Sequence, residues 1–246
     1  LKLNLGWNFS MSIFFNHLLE KDSEILNFSK EENQHIVKAL RKKSKDKITV
    51  TNGRGLEWIG ELEINNKNAF AKKISSRVHD ELKSNIKVAI APTKKIDRIE
   101  WFLEKSTEIG INKIYFIKSK NSIRKKINLT RFNKILISAI KQSKQFYKPK
   151  ISEIVPFNDF VESNLEKQKF IAHCQDYSKS HLAKINIQNI PCIVLIGPEG
   201  DFSKDEVKSA ISNGFTPISL GENRLRTETA ALVAVQTINT LLTAKN

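Results

Sequence analysis

Two segments of the chain combine glycine with charged residues in a way that suits ligand binding. The first is LIGPEGDFS (195–203), in which Gly197 and Gly200 bracket Pro198 and Glu199. Glycine lets the backbone approach a ligand closely, and proline fixes the turn. A bare G-x-x-G is more often an ordinary tight turn than a binding loop, so both interpretations stay open. The segment lacks G-x-G-x-x-G and G-x-x-x-x-G-K-[ST], which argues against a dinucleotide-binding loop and a P-loop.

The second segment is SLGENRLRTETAA (219–231), which places Arg224 and Arg226 between a glycine and the start of a helix. Two arginines at a strand-to-helix turn can neutralise a phosphate or orient a planar base. They can also pair with Glu222 and Glu228 on the surface. Spacing alone leaves these two interpretations about even.

Other catalytic arrangements are not indicated, and no metal site is predicted. The five histidines lack metal-ligand spacing and are interpreted as structural or surface residues: His17, His35, His79, His173 and His181. Cys174 and Cys192 form neither a CxxC pair nor a disulfide framework, so we expect them to pack beside strands. This cysteine usage fits a reducing, cytoplasmic setting. No apolar run approaches the roughly 20 residues of a membrane-spanning helix.

The positive charge of the chain is concentrated in one region. The whole sequence has 41 Lys and Arg against 26 Asp and Glu, but 118–150 contains eleven basic residues and no acidic one. Such clustering favours a phosphate-backbone partner, most simply a nucleic acid, over an acidic membrane surface. The basic residues predicted to contact phosphate are Lys94, Lys95, Arg98, Arg124, Lys125 and Lys126.

The N-terminal third of the sequence has the alternation of β-strands. Residues 48–64 alternate apolar and polar side chains around NGRG, where Gly53 and Gly55 suit a hairpin turn, and 68–78 continue the pattern. One helix follows Ser29, with a glutamate three residues later as in a capping box. Several short strands around one helix predict a small β-barrel-like domain.

After about residue 84 the pattern changes to strands that alternate with helices. Helices are predicted at 96–109, 203–213 and 227–242, and strands at 113–118 and 191–197, among others. This alternation predicts an α/β domain with a mostly parallel sheet. Ligands of such sheets bind outside the carboxyl ends of strands, where both glycine-containing segments fall.

Taken together, the two loops resemble the C-terminal signature of the bacterial 16S rRNA uridine-N3 methyltransferases, a group in the SPOUT superfamily. Three more segments are similar to that family in order and spacing: KKIDRIEWFLEKSTEIGI (94–111), ISAIKQSKQFYKPKI (137–151) and HIVKALRKKSKDKITVTNGRG (35–55). The likeness covers residues 11–244. MSIFF resembles the family's start, which supports Met11 as the natural initiator and leaves residues 1–10 without a role in the fold.

The resemblance implies two domains and a cofactor. A PUA-like, RNA-binding β-barrel domain would span 11–83. An S-adenosylmethionine-dependent methyltransferase domain would span 84–246, with a SPOUT-type trefoil-knotted, mostly parallel sheet and helices on both faces. The resemblance also implies a homodimer with its site near the subunit interface, and 16S ribosomal RNA of the small ribosomal subunit as partner.

The resemblance also assigns individual residues. Cofactor contacts fall on Ile196, Gly197, Glu199, Gly200, Ser219, Leu220, Gly221, Leu225 and Thr227. Arg226 matches the arginine of the family's L-R-T-E-T and is the predicted catalytic residue. Apart from the resemblance, Glu199 and Glu228 are the two candidate acceptors for the uridine N3 proton. Arg41 and Gln142 join the basic residues as predicted RNA contacts.

The sequence departs from the family pattern at a few positions. Asp201 stands where the family usually has a third glycine, and Lys141 replaces the glutamate of its E-Q-S. KSKNSIRKK (118–126) differs from the usual S-E-R-S segment. Two alternatives stay open: a superfamily enzyme that methylates another RNA base or a ribose 2′-hydroxyl, and a non-catalytic RNA-binding assembly factor.

Overall fold

The computed structural model describes residues 13–65, 68–80 and 85–244, which form two compact units. The first unit contains the described residues up to 80 together with 140–147, and the second contains 85–139 and 148–244. Met11 and residues 1–10 lie outside the described residues. The division between 83 and 84 that the resemblance implies stays a prediction.

The first unit is built on one sheet of five strands. These are β1 (Ile13–Phe15), β2 (Ile25–Asn27), β3 (Lys47–Thr51), β4 (Leu56–Asn65) and β5 (Asn68–Val78). Their order is β1-β3-β4-β5-β2, with β1 and β3 parallel and the other pairs antiparallel. Trp58, Leu62 and Ile36 are fully buried in its core. The predicted β-rich N-terminal unit is confirmed.

The helix and the hairpin of this unit follow their sequence signals. Helix α1 (Lys30–Gln34) continues as a π-helical turn (His35–Ala39). The hydroxyl of Ser29 accepts from the backbone N–H of Glu32, whose carboxylate accepts from the N–H of Ser29, so the capping box is confirmed. Gly55 has φ +91° in the turn between β3 and β4, and a Cβ there would lie 2.3 Å from the Tyr147 hydroxyl. Only glycine fits both the dihedral angle and the space.

The second unit alternates strands and helices. Its strands are β6 (Ile86–Ile90), β7 (Lys113–Lys118), β8 (Lys150–Pro156), β9 (Gln168–Ala172), β10 (Ser180–His181), β11 (Cys192–Ile196) and β12 (Thr216–Ser219). Its helices are α2 (Ile96–Ile109), α3 (Leu129–Ser143, with 140–143 in the first unit), α4 (Phe157–Ser163), α5 (Lys204–Ser212) and α6 (Thr227–Thr243), with a 3₁₀ turn at Leu182–Lys184.

These seven strands form one parallel sheet in the order β10-β12-β9-β11-β6-β7-β8. Strand β11 is buried along its whole length, and its side chains alternate between two cores. Val194 packs with α2, α3 and α6, whereas Ile193 and Leu195 pack with α4 and α5. Helices therefore cover both faces, as predicted for an α/β domain with a mostly parallel sheet. The trefoil knot stays a prediction.

Local signals also fix two of the helix ends of this unit. Helix α2 has the predicted bounds and ends at Gly110, whose φ of +101° is the left-handed conformation of a glycine cap. Helix α5 begins after Ser203, which forms a capping box with Glu206. Helix α4 and the short β10 were not predicted. No helix within the described ranges is long and apolar enough to cross a membrane.

Candidate cofactor pocket

A pocket of about 480 Å³ opens in the second unit at the carboxyl ends of β9, β11 and β12. These strands are neighbours in the sheet, and because they are parallel their ends meet at one edge. The wall is formed by the segments that follow the three strands and by the first turn of α6. Both glycine-containing loops therefore lie on one pocket.

Most of the residues predicted from the family signature line this pocket. They are Ile196, Gly197, Glu199, Ser219, Leu220, Gly221, Leu225, Arg226 and Thr227. Gly200 does not line it. Its carbonyl instead accepts a hydrogen bond from the Asn121 side chain at 3.1 Å, and a Cβ on Gly200 would lie 3.2 Å from Asn121 Cβ. The role of Gly200 in this structure is close packing against that neighbouring segment.

Asp201 holds the first loop against the end of β9. Its φ is +61°, the left-handed region that glycine adopts most easily and that aspartate tolerates better than most residues. Its carboxylate accepts from the backbone N–H of Cys174 at 2.9 Å and from that of Phe202 at 2.8 Å. Glycine would adopt this dihedral angle without strain.

Glu206 anchors the other end of the same loop. It is only 9% exposed, and its two carboxylate oxygens accept from the backbone N–H groups of Ser203 at 2.8 Å and Lys120 at 2.7 Å. The capping box of α5 thus also ties down the segment that follows β7. Such charge-assisted bonds are stronger than neutral ones.

The second loop presents Arg226 to the pocket. Arg226 is the N-cap residue of α6, its side chain makes no capping bond, and it has no ion-pair partner in the described parts of the chain. Arg224 donates to the Glu199 carbonyl at 3.4 Å. Glu228 is buried and lies 3.6 Å from Arg98, measured between Oε1 and Nε. The alternative in which Arg224 and Arg226 pair with Glu222 and Glu228 is therefore wrong.

Glu199 connects the first loop to the segment after β6. Its Oε1 accepts from the Lys94 backbone N–H at 3.0 Å, and its Oε2 has no partner among the residues that the structure describes. Arg124 braces the same segment, because its guanidinium donates to the carbonyls of Thr93 at 3.0 Å and Lys94 at 2.6 Å.

The eight predicted RNA contacts divide into six exposed residues and two that bond within the protein. Four of the exposed residues are lysines of the second unit: Lys94, Lys95, Lys125 and Lys126. Arg98 and Arg124 are instead engaged within the protein, as described above. Arg41 and Gln142 are exposed and belong to the first unit.

Sequence reasoning missed His173 as a pocket residue. The histidine follows β9, lines the pocket and is 8% exposed. Its Nδ1 accepts from the Gln175 backbone N–H at 3.2 Å, so the ring proton is on Nε2, which has no acceptor in the described residues. Burial lowers the pKa of His173, with Lys179 acting in the same direction and Asp201 opposing it. The pattern predicts a strand over KFIAHC (169–174), whereas the strand ends at Ala172, so His173 lies just beyond the strand end, where ligands of parallel sheets bind.

The two cysteines differ. Cys192 is buried in β11, where burial raises the pKa of its thiol to about 12, so its predicted packing role is confirmed. Cys174 is exposed on the pocket wall, and the prediction that it packs beside a strand is wrong. Within the described ranges, no group of three His, Cys, Asp or Glu side chains is placed to hold a metal ion.

Comparison with known proteins shows what this architecture is similar to. The model of the RNA methyltransferase domain family matches residues 80–239, and that of the RNA methyltransferase PUA domain matches 28–74. The ribosomal RNA small subunit methyltransferase E of Buchnera aphidicola subsp. Acyrthosiphon pisum is 31% identical over 226 residues, which is 87% of each chain.

Solved structures agree over the whole fold. A probable rRNA-methyltransferase from Porphyromonas gingivalis superposes with a TM-score of 0.89 at 34% identity, covering 96% of this chain and 100% of that one. A ribosomal RNA small subunit methyltransferase E from Neisseria gonorrhoeae, bound to S-adenosyl methionine, has a TM-score of 0.84 at 26% identity, covering 94% and 98%. The chain belongs to the ribosomal RNA small subunit methyltransferase E family, with an N-terminal PUA domain and a C-terminal RNA methyltransferase domain.

Proposed function

We propose that this protein transfers the methyl group of S-adenosylmethionine to N3 of a uridine in 16S ribosomal RNA of the small subunit. One observation carries the proposal: two loops distant in sequence converge on a single pocket and place Arg226 on its wall. Membership of a family of ribosomal RNA small subunit methyltransferases supports the reaction class, and the Neisseria structure supports the cofactor.

The pocket fits such a cofactor by size and by lining. Small-molecule sites typically enclose about 300–1,000 Å³, and this pocket encloses about 480 Å³. Ile196, Leu220 and Leu225 offer an apolar surface for an adenine ring, and the turn at Gly221 has open space where a Cβ would be. The buried Nε2–H of His173 is a donor that lacks an acceptor among the described residues. S-adenosylmethionine, when bound, supplies an electrophilic methyl group.

The residues of the chain would then prepare the uridine. N3 is a poor nucleophile while it carries its proton, so that proton must leave. We assign its acceptance to Glu199, whose Oε2 has no partner among the described residues. Arg226 would stabilise the negative charge that develops on the uracil oxygens. Because N3 lies on the Watson–Crick edge, the base must be unpaired when it reaches the pocket.

Identification of the methylated nucleoside tests the proposal. The protein is incubated with unmodified small ribosomal subunits and labelled S-adenosylmethionine, and the RNA is digested and analysed by mass spectrometry. We expect labelled 3-methyluridine. A labelled 2′-O-methyl nucleoside or another methylated base would contradict the uridine-N3 assignment. Cofactor binding without any labelled nucleoside would favour the assembly-factor alternative.

We also propose that the protein acts as a homodimer. The proposal comes from the family resemblance. Sedimentation equilibrium is expected to give twice the 28.1 kDa mass of one chain. A mass of 28.1 kDa at micromolar concentration would contradict it.

The four exposed lysines are proposed as the phosphate-binding residues of the second unit. Replacing Lys94, Lys95, Lys125 and Lys126 together with glutamine is expected to weaken RNA binding. The slope of log K against log salt concentration should fall by about one for each lysine that no longer neutralises a phosphate. Cofactor affinity should not change, because Glu199 is held by the Lys94 backbone and not by its side chain.

A second quadruple variant provides the control for charge. Lys167, Lys184, Lys204 and Lys208 are also exposed and lie in the same unit, outside 118–150. Their replacement with glutamine removes the same charge and is expected to leave the salt slope nearly unchanged. Equal reductions of the slope in the two variants would show that net charge, not the proposed surface, controls RNA binding.

A further inference from the structure

Three ionisable side chains that lie together in the pocket have no part in the proton transfer or charge stabilisation proposed above. His173 and Lys179 follow β9, Asp201 follows β11, and all three line the pocket. Lys179 and Asp201 are half-buried, whereas the other charged residues of the wall, Glu199, Glu222, Arg224 and Arg226, are exposed. We refer to His173, Lys179 and Asp201 as the polar corner.

The two charges of the polar corner are fixed in position but not neutralised. Lys179 Nζ donates to the carbonyls of His173 at 3.0 Å and Gln175 at 2.7 Å. The Asp201 carboxylate accepts from two backbone N–H groups. Neither side chain has an ion-pair partner in the described part of the chain, and they do not pair with each other. Neutral backbone groups therefore orient both charges and leave them available.

Both charges lie beside the backbone of His173. Lys179 Nζ bonds to the His173 carbonyl at 3.0 Å, and the Asp201 carboxylate accepts from the backbone N–H of Cys174, the next residue, at 2.9 Å. The His173 ring itself contributes a neutral Nε2–H without an acceptor among the described residues. The polar corner thus presents a cation, an anion and a neutral donor within one part of the wall.

A zwitterion is the ligand group that complements an adjacent fixed cation and fixed anion. An α-amino acid has this property, since its carboxylate and ammonium are separated by a single carbon atom. Resting on the proposed function, we infer that the polar corner holds the amino-acid end of S-adenosylmethionine. Lys179 faces the α-carboxylate, Asp201 faces the α-ammonium, and the Nε2–H of His173 is a further donor to the carboxylate. The adenosine then occupies the apolar wall.

Two ligands that differ in the amino-acid end test this assignment by calorimetry, without turnover. S-adenosylhomocysteine retains that end, and 5′-methylthioadenosine keeps the adenosine and the sulfur but lacks it. Asp201→Asn and Lys179→Met are each expected to weaken S-adenosylhomocysteine binding about tenfold, as for removal of one hydrogen bond to a charged group. Affinity for 5′-methylthioadenosine should stay within about twofold of wild type, because that ligand has no group in the polar corner.

Matched variants separate this effect from changes of charge and of loop structure. Asp205→Asn and Lys184→Met make the same substitutions at exposed positions outside the pocket and should leave both affinities unchanged. Asp201→Gly suits the φ of +61° and therefore adds no backbone strain. Because it also removes the acceptor of the Cys174 and Phe202 N–H groups, its affinity for 5′-methylthioadenosine reports whether the loop has moved. Unchanged melting temperatures of the variants confirm that each is folded.

The possible results distinguish the two proposals. If the wild-type protein binds neither ligand, the proposed methyl-transfer function fails. If it binds S-adenosylhomocysteine but the polar-corner variants bind it equally well, only the polar-corner assignment is overturned. An equal reduction for both ligands also overturns the assignment, because the corner would then shape the whole pocket and not recognise the amino-acid end.

Discussion

Arg226→Ala is expected to slow methyl transfer by about 10²–10³-fold, the usual effect when a single donor to a developing negative charge is removed. The stability of the fold should not change, since the Arg226 side chain is exposed and makes no capping bond to α6. Single-turnover assays with saturating S-adenosylmethionine and small ribosomal subunits measure the effect. Calorimetry with S-adenosylhomocysteine should show nearly unchanged cofactor affinity.

Arg224→Ala is the matched control for this prediction. Arg224 lies on the same loop, lines the same pocket and carries the same charge, but its guanidinium donates to the Glu199 carbonyl. We expect its rate to fall by less than about tenfold, well short of the effect of removing a donor to the reacting base. Arg226→Lys should retain part of the activity, because an ammonium keeps the charge but not the planar pair of donors. Equal rates for Arg224→Ala and Arg226→Ala would refute a specific catalytic role for Arg226.

Local signals predicted much of the fold. Three helix boundaries depend on contacts between residues that are close in sequence, so they could be predicted from the sequence alone. They are set by the capping boxes at Ser29 and Ser203 and by the glycine cap at Gly110. Helix α4 begins directly at the end of β8, with a proline as N-cap and no side-chain capping bond. The two-residue β10 exists only because it pairs with β12. Neither element has a local signal of its own.

The candidate site also contains residues that the sequence predicted and residues that it could not. The two loops could be recognised because their glycines and arginines lie within short segments. His173 and Lys179 join them only because β9 lies between β11 and β12 in the sheet, and strand order is not encoded locally. Arg98 and Arg124 were expected to be free for phosphate, but each finds an acceptor far away in sequence. Composition gives the amount of charge in a region but not which charges stay exposed.

Removal of the buried carboxylate of Glu206 is expected to have a large effect on the stability of the second unit. Glu206→Ala leaves the backbone N–H groups of Ser203 and Lys120 without their acceptor. Removal of a buried, charged acceptor is expected to lower the free energy of unfolding of the second unit by about 2–4 kcal/mol. It should also speed amide hydrogen exchange at Ser203 and Lys120, which reports directly on the two broken bonds. Cofactor affinity should fall as well, because the loop that lines the pocket would no longer be anchored.

Asp205→Ala separates this anchoring from a simple change of charge at the start of α5. Asp205 is exposed in the same first helical turn, so its removal should cost no more than about 0.3–1 kcal/mol through the helix dipole. The loss of unfolding free energy in Glu206→Gln should lie between the losses in Glu206→Ala and Asp205→Ala, since the amide oxygen of glutamine can still accept one of the two bonds. If urea unfolding and hydrogen exchange of Glu206→Ala matched those of Asp205→Ala, the link between the capping box and the segment after β7 would have no energetic role. The position of the first loop would then have to depend on Asp201 and its bond to the end of β9.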